Sequence, residues 1–302
     1  MAPTPPDGRA GIDATLVERL IHTQFPRWSG LPVTPVEVDG WDNRTYRLGD
    51  TMTVRLPTAA GYALAVGKEN DWLPRLAPAL PAAVPEVLGE GAPGEGYPYP
   101  WSVRGWLKGE TAERGRIADR ARFATSVAEF LLALQACDAV EGPPAGEHSW
   151  YRGASPAHYD DETRRCLTAL KGRVDTERAT AVWDRALASP HHGKPVWFHG
   201  DVSEGNLLVR DGELAAVIDF GTSGVGDPAC DLVFAWGWLG EEGREAFRRT
   251  VRQDEATWAR ARGWALWKAL LVLSECADDA ERALRCGRVI EEVLADHERF
   301  AA

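Results

Sequence analysis

The sequence predicts an α+β chain with a strand-rich N-terminal lobe followed by a mainly helical C-terminal lobe. Three observations predict it. The chain has 302 residues, long for one simple domain and short for three, so two lobes sharing a cleft is the natural division. Its first 105 residues carry short apolar runs bounded by Gly, Pro and Asp, which is strand patterning. After Gly109 the apolar residues move to helical spacing: Phe123, Val127, Phe130, Leu131 and Leu134 form one stripe. The expected lobes are residues 1–105 and 106–302.

The elements follow in order. MAPTPPDGRAG (1–11) lacks the basic and apolar regions of a secretory signal and reads as a frayed tail. VTPVEV (33–38) and WDNRTYRL (41–48) read as strands, and Gly49-Asp50 as a two-residue turn into TMTVRLP (51–57). YALAVGKENDWLPRLAPAL (62–80) reads as a helix, with Trp72, Leu73 and Leu76 on the face of Glu69. VPEVLGEG (84–91) and YPYPWSVRGWL (97–107) read as further strands, and residues 103–109 as a hinge with Gly105 and Gly109. In the second lobe, helices are expected over 156–170, 176–188, 228–239, 242–252, 254–275 and 278–299.

Composition narrows the function classes. No run approaches the ~18 apolar residues of a membrane span. Five scattered cysteines (137, 166, 230, 276, 286) form no CxxC pair, which argues against a disulfide framework or a zinc knuckle and fits a reducing cytoplasm. A net charge of −11 repels nucleic acid and anionic membranes. It fits plain solubility, and equally a cationic small substrate.

The chemistry concentrates in FHGDVSEGNLLVRDGELAAVIDFG (198–221). Asp211-Gly212 is a type I′ turn signal between apolar runs. With those two residues as the loop, Asn206 pairs with Val217, and Asp219 faces the same side two residues on. Their Cβ atoms would lie roughly 7–8 Å apart, close enough to share one hard cation such as Mg²⁺. Asp201 sits on the glycine-flanked loop that feeds the hairpin, where a carboxylate suits a general base. A base beside metal ligands is the constellation phosphoryl transfer needs.

These residues carry a family resemblance. His199-Gly200-Asp201, Asn206 and Ile218-Asp219-Phe220-Gly221, followed by GVGDPACDL (224–232), resemble the aminoglycoside phosphotransferase family within the protein-kinase-like fold. His-Gly-Asp in place of His-Arg-Asp is similar to the small-molecule branch. The resemblance implies a bilobal kinase-like fold, ATP or GTP, Mg²⁺, Asp201 as catalytic base, and Asn206 and Asp219 as metal ligands. It also implies that His199 braces the loop and that Asp231 supports it. Asp227, followed by Pro228, is explained by helix capping alone.

A kinase-like N-lobe should hold a cation on a strand against a helix carboxylate. Glu69 lies on the apolar face of its helix and wants a buried partner. Arg55 is the expected one, reaching the nucleotide phosphates in place of the usual lysine, with Lys68 as the rival cation. Arg104, Gly105 and Trp106 stand where adenine would meet the hinge through backbone groups. GWDNRTYRL (40–48) is either a loop over the phosphates or a simple turn into a strand. GEGAPG (89–94) matches G-x-G-x-x-G but precedes a strand, so it fails as a dinucleotide site. His191-His192 reads as a solvated loop, and Trp264, Trp267 and Leu271 as core.

The acceptor site is expected among the C-lobe helices. Asp160, Asp161, Glu162, Glu241, Glu242, Glu275, Asp278 and Asp279 are the candidate acids for a cationic acceptor, with Trp236 and Trp238 as possible lining. SWYRG (149–153) has no assigned role. The expected function is an ATP- or GTP-dependent, Mg²⁺-requiring kinase of a small-molecule hydroxyl, led by an antibiotic such as an aminoglycoside. Macrolides, sugars, choline-like alcohols or homoserine are alternative acceptors. A metal-dependent hydrolase built on His199, Asp201 and Asp219, or a nucleotide-binding pseudokinase, are the readings from other classes. The chain is expected to be cytoplasmic, a monomer or weak dimer, without nucleic-acid or membrane partners.

Overall fold

The computed structural model describes residues 9, 11–37, 39–40, 42–276 and 279–300. Val38, Trp41 and Asp278, and most of the expected N-terminal tail, lie outside them. The described chain divides into two compact units. One comprises residues 1–109 and 215–221, the other 110–214 and 222–302.

The first unit opens with α1 (Ala14–Gln24), which the sequence reading did not identify. Its start is set by Asp13, whose Oδ1 accepts the Leu16 N–H. Then follow β1 (Val33–Pro35), β2 (Asn43–Leu48), β3 (Met52–Pro57), α2 (Ala60–Leu76), β4 (Val87–Gly91) and β5 (Trp101–Gly105). The strands form one antiparallel sheet in the order β1-β2-β3-β5-β4. Leu48 pairs with Met52, so the turn after β2 has three residues, Gly49 to Thr51, and not the expected two.

Strand alternation gives this sheet two unlike faces. Met52, Val54, Leu56, Trp101 and Val103 join Leu16, Val17, Leu20 and Ile21 of α1 in one apolar core. Thr53 and Arg55 of β3, opposite Arg104 and Ser102 of β5, take the other face, where Glu69 and Asn70 of α2 lie. The expected failure of GEGAPG as a phosphate loop has a packing reason here. A Cβ on Gly91 would come within 2.0 Å of the Trp101 ring, so this glycine makes room for an aromatic side chain.

The second unit contains β6 (Glu110–Thr111), α3 (Arg120–Ala136), α4 (Asp160–Ala169), α5 (Thr176–Leu187), β7 (Val196–Phe198), β8 (Leu207–Arg210), β9 (Glu213–Val217), β10 (Gly224–Gly226), α6 (Gly240–Val251), α7 (Glu255–Glu275) and α8 (Ala280–Phe300). Strand β9 carries the chain from this unit into the first. Helix α7 is the central post, buried on most of its faces, and packs against α4, α5 and α8. The helix expected over 228–239 is a 3₁₀ segment, Pro228–Ala235, ended by Trp236 in extended backbone and Gly237 at φ 92°. It has no polar stripe to expose, because Ala229, Cys230, Leu232, Phe234 and Ala235 are all buried. No helix among the described residues is long and apolar enough to cross a membrane.

Candidate active site

In the first unit, the segment Ala215–Gly221 docks beside the 83rd residue. Ala83 donates to the Ala215 carbonyl and accepts from Val217. This brings Asp219 to the polar face of the sheet. Arg55 there reaches its expected partner and a second, unexpected one: its Nη1 lies 3.4 Å from Glu69 Oε1 and its Nη2 3.2 Å from Asp219 Oδ1. Burial works against the charge of Arg55, but Glu69 and Asp219 outweigh it and leave the guanidinium more firmly protonated than usual. Burial likewise favours neutral Glu69, yet Arg55, Arg104 and Lys68 hold its carboxyl below the usual range.

The rival cation does something else. Lys68 Nζ donates to the Gly221 carbonyl at 2.8 Å, and burial lowers its pKa to about 8. Arg104 is only 1% exposed and turns inward, 2.8 Å from Asn70 Oδ1 and 3.8 Å from Glu69 Oε2. The expected hinge donors are already used. Gly105 N–H goes to the Glu86 carbonyl and Trp106 N–H to the Thr51 carbonyl, while the Trp106 ring carries the Arg47 guanidinium 4.0 Å from its centroid.

In the second unit, the loop after β7 is held from beneath. Fully buried Asp231 accepts the N–H groups of His199 at 2.8 Å and Gly200 at 2.7 Å. Burial pushes its carboxyl up, against the pull of those donors. Gly200 sits at φ +86°, and a Cβ there would meet the Thr222 carbonyl oxygen at 2.7 Å, so only glycine fits. His199 Nδ1 accepts the Asp201 N–H at 3.2 Å.

The Asp201 carboxylate has two partners. Lys268 Nζ donates to Oδ1 at 2.7 Å, and Asn206 Nδ2 donates to Oδ2 at 3.0 Å and to the Asp201 carbonyl at 2.9 Å. Burial alone would raise the Asp201 pKa; Lys268, with Arg152 and His199, overrides it and holds the group at about 2. The Asn206 amide nitrogen is thus committed twice.

One expectation about these residues fails. Asn206 precedes β8 and Asp219 follows β9, so neither lies in a strand, and Asp219 has φ +67°. Strand alternation therefore does not orient the two side chains. The turn itself has the expected form, with Asp211 at φ 57° and Gly212 at φ 84°.

Most expected acceptor residues are otherwise employed. Asp160 accepts from Arg164 and from Trp183 Nε1 at 2.7 Å, and Glu162 accepts from Trp267 Nε1 at 2.8 Å. Asp161, Glu241, Glu242 and Glu275 are exposed, and Asp279 accepts the Arg282 N–H. Trp236 is buried edge-on against Trp258 and is a core residue, while Trp238, half-buried, packs between Phe123 and Phe234. Two further readings need correction. Asp227 caps the 3₁₀ segment, but it is also a buried ion-pair partner of Arg260, at 2.5 and 3.0 Å. His191 rests on that pair, 3.3 Å from Arg260 Nη2, and is half-buried; His192 is exposed, as expected.

The family model of the phosphotransferase enzymes matches residues 33–264, more than half of the chain. The chain belongs to the phosphotransferase enzyme family. It is thus a small-molecule kinase. Solved structures of other phosphotransferases share its fold. The GDP complex of aminoglycoside 2'-phosphotransferase-IIIa aligns with a TM-score of 0.69 at 21% identity, covering 94% of this chain and 99% of that one. A thermostable mutant of the aminoglycoside phosphotransferase APH(4)-Ia, bound to AMP-PNP and hygromycin B, gives 0.65 at 20%, covering 93% and 98%. The macrolide 2'-phosphotransferase MphH from Brachybacterium faecium gives 0.58 at 21%, covering 92% and 97%. No curated protein matches the sequence.

Sequence reasoning about this phosphotransferase missed Lys268, Arg152 and Arg260. A signal for two of them was present. WARARGWALWKALL (258–271) is nearly continuous apolar helix, so a cation inside it has to find a buried partner.

Proposed function

We propose that the chain transfers the γ-phosphoryl group of ATP or GTP to a hydroxyl of a small molecule, with Asp201 as general base. The observation that carries this reading is the Asp201 loop. A carboxylate held ionised by Lys268 stands on a backbone that Asp231 clamps at two successive N–H groups. In the step, Asp201 takes the proton of the acceptor hydroxyl. The hydroxyl oxygen forms a bond to the γ-phosphorus, and the bond to the β–γ bridging oxygen breaks, releasing the nucleoside diphosphate. Lys268 keeps the carboxylate pointed and charged.

Asn206 and Asp219 each supply a hard oxygen, the donor type Mg²⁺ prefers. When bound, the metal neutralises charge on the nucleotide phosphates. Asp219 already faces one cation, Arg55, which suits a carboxylate built to meet positive charge. Arg55, fixed by Glu69, is the residue for the phosphates, with a fork that matches their oxygens. Two of the structures described above were solved with GDP or AMP-PNP, and all three carry antibiotic names, which supports an antibiotic-like hydroxyl compound as acceptor. A hydrolase using His199 as a metal ligand is disfavoured, because that ring is fully buried and its Nδ1 holds the Asp201 N–H.

The nucleotide half of the reading is tested by thermal shift. ATP or GTP should raise Tm only with Mg²⁺ present, and Asp219→Ala should shrink that shift. An equal shift without Mg²⁺, or one untouched by Asp219→Ala, would remove Asp219 from the metal site.

A further inference from the structure

Lys268 holds a positive charge that its partner ceases to balance during the proposed step. The lysine stands on α7, next to a tryptophan fixed on three sides. Trp267 Nε1 donates to Glu162 at 2.8 Å, the Tyr159 ring stacks on the indole at 4.1 Å, and the Arg152 guanidinium carbon lies 4.5 Å from its centroid. On either side of this point the helix buries Trp264, Leu266, Ala269 and Leu270. A well-packed post therefore carries Lys268, while its side chain stays 43% exposed.

An ammonium has three N–H donors. Among the described residues Nζ has one partner, Asp201 Oδ1 at 2.7 Å. The other donors are open to solvent or to a ligand.

The reaction removes the charge that Lys268 faces. As the acceptor hydroxyl gives its proton to Asp201, the carboxylate becomes neutral. The hydroxyl oxygen forms its bond to the γ-phosphorus, and the electron pair of the β–γ bridging bond leaves with the nucleoside diphosphate. The negative charge lost by Asp201 is gained by the phosphate ester and the departing diphosphate. The new anion forms close by. A hydroxyl bonded to Asp201 lies about 2.6–3.2 Å from a carboxylate oxygen, and the phosphorus it attacks about 3–3.5 Å further on. Nζ touches the same carboxylate from a flexible four-carbon stem. The second donor on that carboxylate cannot follow the charge: Asn206 Nδ2 is a neutral amide, tied at 2.9 Å to the Asp201 carbonyl. A contact that strengthens only as the phosphoryl group moves accelerates the step.

We infer that Lys268 is a catalytic residue, whose ammonium passes from the Asp201 carboxylate to the oxygens of the transferring phosphoryl group. The inference rests on the phosphotransferase reading with Asp201 as base, and it goes beyond the orienting role already given to Lys268.

The test needs no acceptor. Aluminium fluoride, an anion that mimics a phosphoryl group in transfer, is titrated into the full chain with Mg²⁺ and ADP or GDP, and its affinity is read from Tm. Lys268→Met should weaken aluminium fluoride by about tenfold or more, the worth of a charged hydrogen bond. The shift from Mg²⁺ and diphosphate alone should be unchanged, and Lys268→Arg should keep part of the affinity. Should Lys268→Met fail to fold, Lys268→Gln carries the comparison with the same sign. Repeating it in Asp201→Asn separates contact from orientation, because Lys268 then has no carboxylate to hold. The loss should persist there. Equal affinity in the parent and Lys268→Met, a loss that vanishes in Asp201→Asn, or no aluminium fluoride binding by the parent would each overturn the inference. No Tm shift with Mg²⁺ and either diphosphate would overturn the phosphotransferase reading itself.

Discussion

Asp201→Ala is expected to lower phosphoryl transfer by about 10²–10⁴-fold, the range a positioned general base contributes. Mg²⁺-nucleotide should still raise Tm in this variant, because the base acts in the transition state and not in nucleotide binding. The fold should survive. Lys268, which loses its partner, is 43% exposed and can return to water. The pH profile gives a second reading of the same group. Asp201 has its folded pKa lowered to about 2, so its charge and the stability it contributes are present above the usual carboxylate range and are lost only as pH falls towards that value. The acid limb of kcat/KM due to Asp201 should therefore lie below that range, and Lys268→Met should move it upward. Transfer at the parent rate in Asp201→Ala would remove Asp201 from the chemistry.

The largest effect on stability is expected at Asp227, far from any expectation based on capping. Its two oxygens face Arg260, and both side chains are almost wholly buried. Asp227→Ala removes a cap and leaves a buried guanidinium without its carboxylate. The Ser189 carbonyl and Thr257 hydroxyl remain as acceptors, but neither carries charge. The loss should be about 3–5 kcal/mol, the cost of breaking a buried pair from one side. Chemical denaturation checks it, and Asp227→Asn, which retains the cap, should fall between the variant and the parent. A loss below about 1 kcal/mol, the value of a cap alone, would mean the ion pair contributes nothing net.

The same residues show what was legible in the sequence. Asp201, Asn206 and Asp219 stood out because their spacing is local and their chemistry is specific. Arg55 and Glu69 were legible because a charge on an apolar helix face needs a partner, and Arg55 on the preceding strand was the candidate beside the rival Lys68. The polar triad of Arg104, Asn70 and Glu69 was not, since Arg104 looked like part of a hinge until sheet register turned it inward. Lys268 lies 67 residues beyond Asp201 and Arg260 33 beyond Asp227. No spacing rule links such pairs. The strand argument for Asn206 and Asp219 failed at their backbone: both lie past the strand ends, where period-two alternation stops. The acceptor acids are a different case. Acidic composition said nothing about which carboxylates were already bonded, and Asp160 and Glu162 were.

The most direct test of phosphoryl transfer is the product itself. Wild-type chain, Mg²⁺ and γ-labelled ATP or GTP should be incubated with a panel of hydroxy acids, sugars, macrolides and aminoglycosides, and each acceptor weighed by mass spectrometry. A phosphorylated acceptor is predicted, formed one for one with nucleoside diphosphate and absent with Asp201→Ala. Nucleoside diphosphate appearing only with free inorganic phosphate, with every acceptor unchanged, would contradict it.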